Sequence, residues 1–301
     1  MEIVAFTSEP HRRRPRVGAV FSDTHLLDFE RAYEEGVPPS TPLDWFDMDG
    51  PWYQQSRDLF ARMSNDASLI ARAANSGALV ERSDAYWFAP VPRPGKLICI
   101  GLNYRDHAAE LGMPLPQRPV VFSKFTTAVI AAGEPIVVPA SSTQVDYEAE
   151  LAIVIGRRAK NVRAADAMSY VLGYTAFNDV TARDFQAGDG QWQRSKSCDT
   201  FAPMGPSIFT ADVITDPSNL GIRLTVNGQT MQDSNTNQLV FGVPELIEFL
   251  SATITLEPGD VIATGTPPGV GAGKKPPVFL KPGDVVEVEI EGLKPLSNPV
   301  A

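Results

Sequence analysis

The sequence predicts a mainly β, α+β protein, a mixed β-sandwich or rolled barrel behind a small α+β segment. Two observations carry this. Beyond residue 95 short apolar runs recur with turn signals between them, and one helix interrupts them. Before residue 90 strand-like runs share the chain with its best helical stretch, and the proline-rich APVPRPGK at 89–96 separates the two parts. The domain boundary therefore falls near residue 90, giving segments 1–90 and 91–301.

In chain order, EIVAFTSE, RVGAVF and THLLDF read as short strands. HRRRPR at 11–16 reads as a solvated basic loop. Residues 53–80 read as helical, with Leu59, Met63, Leu69, Ile70 and Ala73 at helical spacing. KLICIG, RPVVFSK, PIVVP, ELAIVIG, VLGYTAFND, IRLTVNG, DVIATG and DVVEVEIEG read as strands. VNGQ at 226–229, EPGD at 257–260 and KPGD at 281–284 mark turns, and VPELIEFLSA at 243–252 is the helix among the strands.

Composition narrows the function. The chain has 301 residues and a formal net charge of −10, which disfavours nucleic acid and anionic membrane as partners. Two cysteines, Cys99 and Cys198, make no disulfide framework and no zinc spacing. MEIVAFTSEP lacks the pattern of a signal peptide, and no apolar run is long enough to span a bilayer. A reducing, cytoplasm-like compartment is expected.

The stretch VDYEAELAIVIGR, 145–157, joins an apolar strand to three alternating acids, Asp146, Glu148 and Glu150. A strand alternates its faces, so all three would point one way. Like charges on one face need neutralising, and a hard divalent cation with carboxylate ligands does this. Asp179 ends another strand-like run and can add a ligand beside Glu148 and Glu150. Asp146 can join them or stand behind them.

Two further features carry chemistry. His107 and Glu110 lie three apart in NYRDHAAELG, neighbours on a helix, where a glutamate can orient a histidine into a base for water. ATGTPPGVG at 263–271 is glycine-rich but is no phosphate loop. Pro268 stands where a P-loop needs its first glycine, and Lys274 replaces the third glycine of GxGxxG. Such a turn can still offer backbone N–H groups and the Thr266 hydroxyl to a carboxylate.

Six motifs occur together: GLNYRDHAAELG (101–112), DYEAELAIVIG (146–156), GYTAFNDVTARDFQ (173–186), KSCDTFAPMGP (196–206), VNGQTMQDSNT (226–236) and LEPGDVIATGTPPGVG (256–271). Over roughly residues 95–297 they resemble the fumarylacetoacetate hydrolase (FAH) family, above all its shorter branch of acylpyruvases and oxaloacetate decarboxylases. The resemblance implies an FAH-type β-sandwich roll, a homodimer, and Mg²⁺ or Mn²⁺ held by Glu148, Glu150 and Asp179. It implies a lid helix whose dyad is His107 and Glu110. It implies that Lys196 faces the substrate, and that Arg183, Gln186 and Thr266 hold a carboxylate or oxo group. LICIG offers no acid where fumarylacetoacetate hydrolase proper has a further ligand, and Ser195 replaces a common glycine.

What the resemblance implies is chemistry on a small 2-oxo acid. Water activated by the dyad would hydrolyse the C–C bond of an acylpyruvate-type 2,4-dioxo acid, the activity expected first. Decarboxylation or tautomerisation of an oxaloacetate-like acid is the second expectation. A sugar-acid hydratase or dehydratase and a non-catalytic metal-binding protein come after these.

Overall fold

The run LAIVI belongs to strand Ala149–Ile155, which is buried at every position. Val171–Asn178 pairs antiparallel with it on one side and Val261–Ala263 on the other. Its ladder groups are thus satisfied from both sides, and both of its faces can be apolar. The structure is a computed structural model and describes residues 1–9, 14–32 and 41–301.

Around this strand runs a 12-stranded sheet. From one edge it passes through Leu79–Glu81, His25–Asp28, Arg16–Val20, Glu2–Thr7, Ala202–Thr210 and Val171–Asn178. Beyond the central strand it continues through Val261–Ala263 and Leu97–Gly101 to Val120–Ser123. The sheet is mixed, because Val261–Ala263 and Leu97–Gly101 run parallel. It crosses the proline-rich connector without a break, through the pairing of Glu2 with Phe209 and Ile3 with Ile208.

A four-stranded sheet of Gln229–Asn235, Gly221–Val226, Val285–Ile290 and Leu296–Pro299 packs against the large one. Val286, Val288 and Ile290 are buried, while Val285, Glu287 and Glu289 face outward, the alternation of a strand with one core face. The turn in VNGQ joins Val226 to Gln229 with Asn227 and Gly228 both at positive φ, the backbone a two-residue hairpin needs.

The helix Val243–Thr253 and the strands KLICIG, RPVVFSK, ELAIVIG, VLGYTAFND, IRLTVNG, DVIATG and DVVEVEIEG form where expected. Four details differ. The helical stretch 53–80 is two helices, Pro51–Met63 and Ala67–Asn75, because Asp66 caps the second by accepting the N–H groups of Ser68 and Leu69. PIVVP makes only a bridge from Ile136 to Val300, since proline at both ends interrupts a ladder. Ala202–Thr210, which is not among the expected strands, is a central strand that carries Pro203, Gly205 and Pro206. In HRRRPR, residues 11–13 lie outside the described residues, and Arg16 is no solvated residue but a buried partner of Asp28 at 2.7 Å.

Candidate active site

Glu148 directly precedes the central strand and Glu150 is its second residue, so period two puts both on one side. Asp179 follows the last residue of the neighbouring strand, and its N–H donates to Glu148 O at 2.9 Å. Carboxylate oxygens of the three all lie within 4.8 Å of one another, and all three residues are buried. Asp146 leaves the row. Val145–Asp146 is a separate short strand paired with Thr181–Ala182. Its carboxylate accepts the N–H groups of Gly271 and Ala272 at 2.7 and 3.0 Å and the Arg183 Nε–H at 2.8 Å.

Three cations border this cluster. Lys196 Nζ lies 2.6 Å from Glu148 Oε2 and 2.7 Å from Asp179 Oδ2. It sits on a short helix, Gln193–Lys196, and is buried there, in contrast to an ordinary loop lysine. Ser195, the departure from the family's glycine, spends its hydroxyl on Trp192 O at 2.8 Å. Arg183 reaches Glu148 Oε1 at 2.6 Å and Gln186 Oε1 at 3.0 Å. Its acids are thus Asp146 and Glu148, while Asp184 binds Ser142 and the Thr143 N–H instead. The third cation, Lys124, has a fully buried side chain and donates to Asp179 Oδ1 and to Val180 O. Sequence reasoning missed it, because nothing in FSKFTT marks the lysine as interior.

These neighbours set the acidities. Burial opposes charge on Glu148, but Lys196 and Arg183 outweigh it and pull its carboxyl down to about 2. Burial, with Asp179 and Glu148 beside it, pushes the Glu150 carboxyl well above the usual range. Glu150 accepts only the Gly265 N–H, at 2.8 Å, and has no cationic partner among the described residues. A buried carboxylate in that position requires a proton or a cation. Four carboxylates against three protein cations leave one negative charge in excess. The oxygen-only donor set and this excess charge fit a hard divalent cation held by Glu148, Glu150 and Asp179.

The helix Arg105–Leu111 stands over the cluster and closes on Gly112 at φ +64°. His107 Nδ1 lies 3.0 Å from Glu110 Oε2, and Glu110 Oε1 accepts the Gly269 N–H at 3.0 Å. The histidine is thereby oriented from behind by a carboxylate that is itself fixed. Gly101, at the other flank, allows close packing: a Cβ there would lie 2.5 Å from the Trp192 ring.

The glycine-rich turn 263–271 does present backbone N–H groups to carboxylates, but these are the protein's own. Gly265 serves Glu150, Gly269 serves Glu110, and Gly271 serves Asp146. A Cβ at Gly271 would lie 1.9 Å from Val278 O, so only glycine brings that N–H in so closely. Gln232, also unremarked in the sequence, donates to Thr266 Oγ1 at 2.8 Å from full burial.

One cavity of about 470 Å³ collects Glu148, Glu150, Asp179, Lys196, Arg183, Gln186, Thr266 and His107. Of the candidate site residues singled out from the sequence, Glu110 and Asp146 do not line it: Glu110 stands directly behind His107, and Asp146 stands behind Arg183. The arrangement can bind an anion, polarise a carbonyl beside the carboxylates and move a proton at His107.

The family described as fumarylacetoacetate (FAA) hydrolase C-terminal matches residues 96–301. The chain belongs to the fumarylacetoacetate hydrolase family. It is 49% identical over 304 residues to "Oxaloacetate tautomerase fahd2, mitochondrial" of Xenopus laevis, covering 100% of this chain and 90% of that one. Among solved FAH-fold structures it is similar to 5-carboxymethyl-2-hydroxymuconate delta-isomerase from Mycobacterium smegmatis, at 36% identity and a TM-score of 0.76, with 100% and 99% of the two chains covered. It is also similar to the fumarylacetoacetate hydrolase of Exiguobacterium antarcticum, at 34% identity and a TM-score of 0.78 over the same shares. The FAH-family likeness therefore extends through the N-terminal segment. The first two names are of a tautomerase and an isomerase, which moves tautomerisation of an oxaloacetate-like acid ahead of the C–C hydrolysis expected first.

Proposed function

We propose that this enzyme interconverts the keto and enol forms of an oxaloacetate-like 2-oxo dicarboxylic acid. The observation that carries this reading is the meeting, in one cavity, of a cation-seeking carboxylate cluster with a carboxylate-oriented histidine. The names of its full-length relatives support the substrate class.

A divalent cation, Mg²⁺ or Mn²⁺, held by Glu148, Glu150 and Asp179 would supply Lewis-acid polarisation of the 2-oxo group. The chain's own residues supply the rest. Arg183, Gln186 and Thr266 orient the adjacent carboxylate. His107 donates its Nδ1–H to Glu110, which leaves Nε2 free as the base. Nε2 takes a proton from C3, and Lys196 offsets the negative charge that moves onto the 2-oxygen. The protonated His107 then gives that proton up to the 2-oxygen, which yields the enol and restores the base; the reverse sequence gives the ketone. No water is consumed, so the same dyad serves without hydrolysing a C–C bond. Decarboxylation of the same acid shares the charge on the 2-oxygen and differs in losing CO₂ from C4.

The substrate is the only partner this reading needs, with no nucleic acid and no membrane surface. A homodimer is proposed from the family resemblance. Among the described residues no helix is long and apolar enough to cross a membrane. Two unpaired cysteines fit a reducing compartment such as the cytoplasm, although the Xenopus relative is named mitochondrial.

The test follows ketonisation of enol-oxaloacetate by its ultraviolet absorbance, with pyruvate measured in parallel, in Mg²⁺ or EDTA. Accelerated loss of enol without matching pyruvate, abolished by EDTA and by Glu148→Ala, is the expected result. Rapid pyruvate release from acetylpyruvate, with oxaloacetate tautomerising no faster than in buffer, would restore the hydrolase.

A further inference from the structure

Gln232 belongs to the hairpin motif VNGQTMQDSNT, which the reaction above leaves unused. Its side chain is buried, and three bonds hold it. Oε1 accepts the N–H of Ala149, the residue between the two clustered glutamates, at 2.9 Å. Nε2 donates to Thr266 Oγ1 at 2.8 Å and to Pro267 O at 2.8 Å. These partners allow one orientation of the amide. A backbone N–H can only donate and a backbone carbonyl can only accept, so oxygen must face Ala149 and nitrogen must face Thr266 and Pro267.

The consequence lies at Thr266. Its hydroxyl oxygen accepts a hydrogen bond from Gln232 Nε2, so its own proton must point elsewhere. Among the described residues it donates to nothing, and Thr266 lines the cavity. A threonine rotor left alone accepts or donates as its ligand requires. Gln232 fills one of its two lone pairs, and the hydroxyl proton has no acceptor among the described residues, so a ligand that accepts is favoured at this point. We propose that Gln232 is a positioning residue that fixes Thr266 as a hydrogen-bond donor to the carboxylate of a bound 2-oxo acid. This rests on reading the cavity as a 2-oxo acid site. It gives the site selectivity for an anionic oxygen over a donor group at that point. It also ties the loop bearing Thr266 to the strand bearing Glu148 and Glu150 through one side chain.

Gln232→Glu is the discriminating variant. It keeps an oxygen for the Ala149 N–H and replaces the donor toward Thr266 by an acceptor, so the threonine proton turns away from the cavity. The probe is oxalate, a non-reacting mimic of the carboxylate and oxo oxygens, titrated by calorimetry in saturating Mg²⁺. The wild type, Gln232→Glu, Thr266→Val and the double variant are compared. Each single change is expected to weaken oxalate roughly ten-fold, the worth of one hydrogen bond to a charged group. The double variant is expected to bind no more weakly than Thr266→Val alone, because both changes remove the same bond. A purely structural Gln232 would instead add its effect to that of Thr266→Val. If Gln232→Glu fails to fold, Gln232→Met carries the same cycle. Unchanged binding in the Gln232 variant, additive losses, or a wild type that binds no oxalate would each overturn the proposal. A wild type that binds oxalate through this pair yet fails the tautomerase assay would sink the proposed activity and leave the role of Gln232 standing.

Discussion

Lys196 Nζ lies 2.7 Å from Asp179 Oδ2, and it shares that carboxylate with Lys124 on the other oxygen. Two buried cations thus fix the orientation of one acid. They differ in what else they face: Lys196 lines the cavity, and Lys124 does not.

Burial pulls the Lys124 ammonium below its ordinary range although Asp179 opposes the shift. Lys124→Met keeps the length of the side chain and removes its charge. Breaking a buried pair costs about 3 kcal/mol when the partner stays charged. That loss is expected in urea unfolding of the EDTA-treated protein. Mg²⁺ should restore part of it, because a second source of positive charge then serves Asp179. A loss of the same size with and without Mg²⁺ would show that the lysine contributes packing alone.

Glu150 gives the pH dependence. Its carboxyl is raised in the folded, metal-free protein by burial and by Asp179 and Glu148. A raised group contributes stability that is present below its unfolded value and lost as pH rises through its folded value. The EDTA-treated protein should therefore lose stability as pH rises above the ordinary carboxylate range, and Glu150→Gln should remove that part of the slope. Glu148, pulled down to about 2, works in the opposite sense and loses its contribution only as pH falls from the ordinary carboxylate value toward 2. Cation binding must displace the Glu150 proton, so Mg²⁺ affinity should fall as pH is lowered and a proton should be released on binding. Calorimetry in buffers of different ionisation enthalpy measures that proton directly. A pH-independent affinity would remove Glu150 from the ligand set.

Much of this site was legible because it is local. Glu148 and Glu150 share a face by strand periodicity, and Asp179 stands at a strand end that its own apolar run announces. The His107–Glu110 pair follows from helical spacing alone. Asp146 was not placed, because the break before Ala149 that swings it toward Arg183 has no period to betray it. Lys124 and Gln232 were invisible for a different reason. Their partners lie 55 and 83 residues away along the chain, at Asp179 and Ala149, so only the assembled tertiary structure makes them interior. The strand Ala202–Thr210 was hidden by two prolines and a glycine that local rules assign to a turn.

Asp146 can be separated from the ligands by experiment. Its carboxylate accepts the N–H groups of Tyr147 and Gly271 on Oδ1 and those of Ala272 and Arg183 on Oδ2, so Asp146→Asn leaves two of four donors without an acceptor, Arg183 among them when the amide nitrogen takes the Oδ2 place. KM for the 2-oxo acid should rise about ten-fold as Arg183 loses its hold, the worth of one hydrogen bond between charged groups. Mg²⁺ affinity should fall far less than in Glu150→Gln. Equal losses of Mg²⁺ affinity in the two variants would make Asp146 a ligand.

Glu110→Gln tests the proton at His107 while changing almost no shape. In the wild type, Glu110 Oε2 can only accept from His107 Nδ1, so the neutral imidazole carries its hydrogen there and presents the lone pair of Nε2. Glu110 Oε1 meanwhile accepts the Gly269 N–H. A glutamine keeps its oxygen for Gly269, because that N–H cannot accept, and therefore turns its NH₂ toward His107. Nδ1 must then accept, and the ring proton moves to Nε2, the atom that has to take the proton from C3. The variant should fold with an unchanged melting temperature and bind oxalate as the wild type does. Its kcat should fall by about 10²- to 10⁴-fold, the usual worth of a positioned general base. Nitrogen NMR of the imidazole should show the Nε2–H tautomer in the variant and Nδ1–H in the wild type. If kcat fell with the tautomer unchanged, Glu110 would act on the substrate itself; if the tautomer changed with kcat intact, His107 would not be the base.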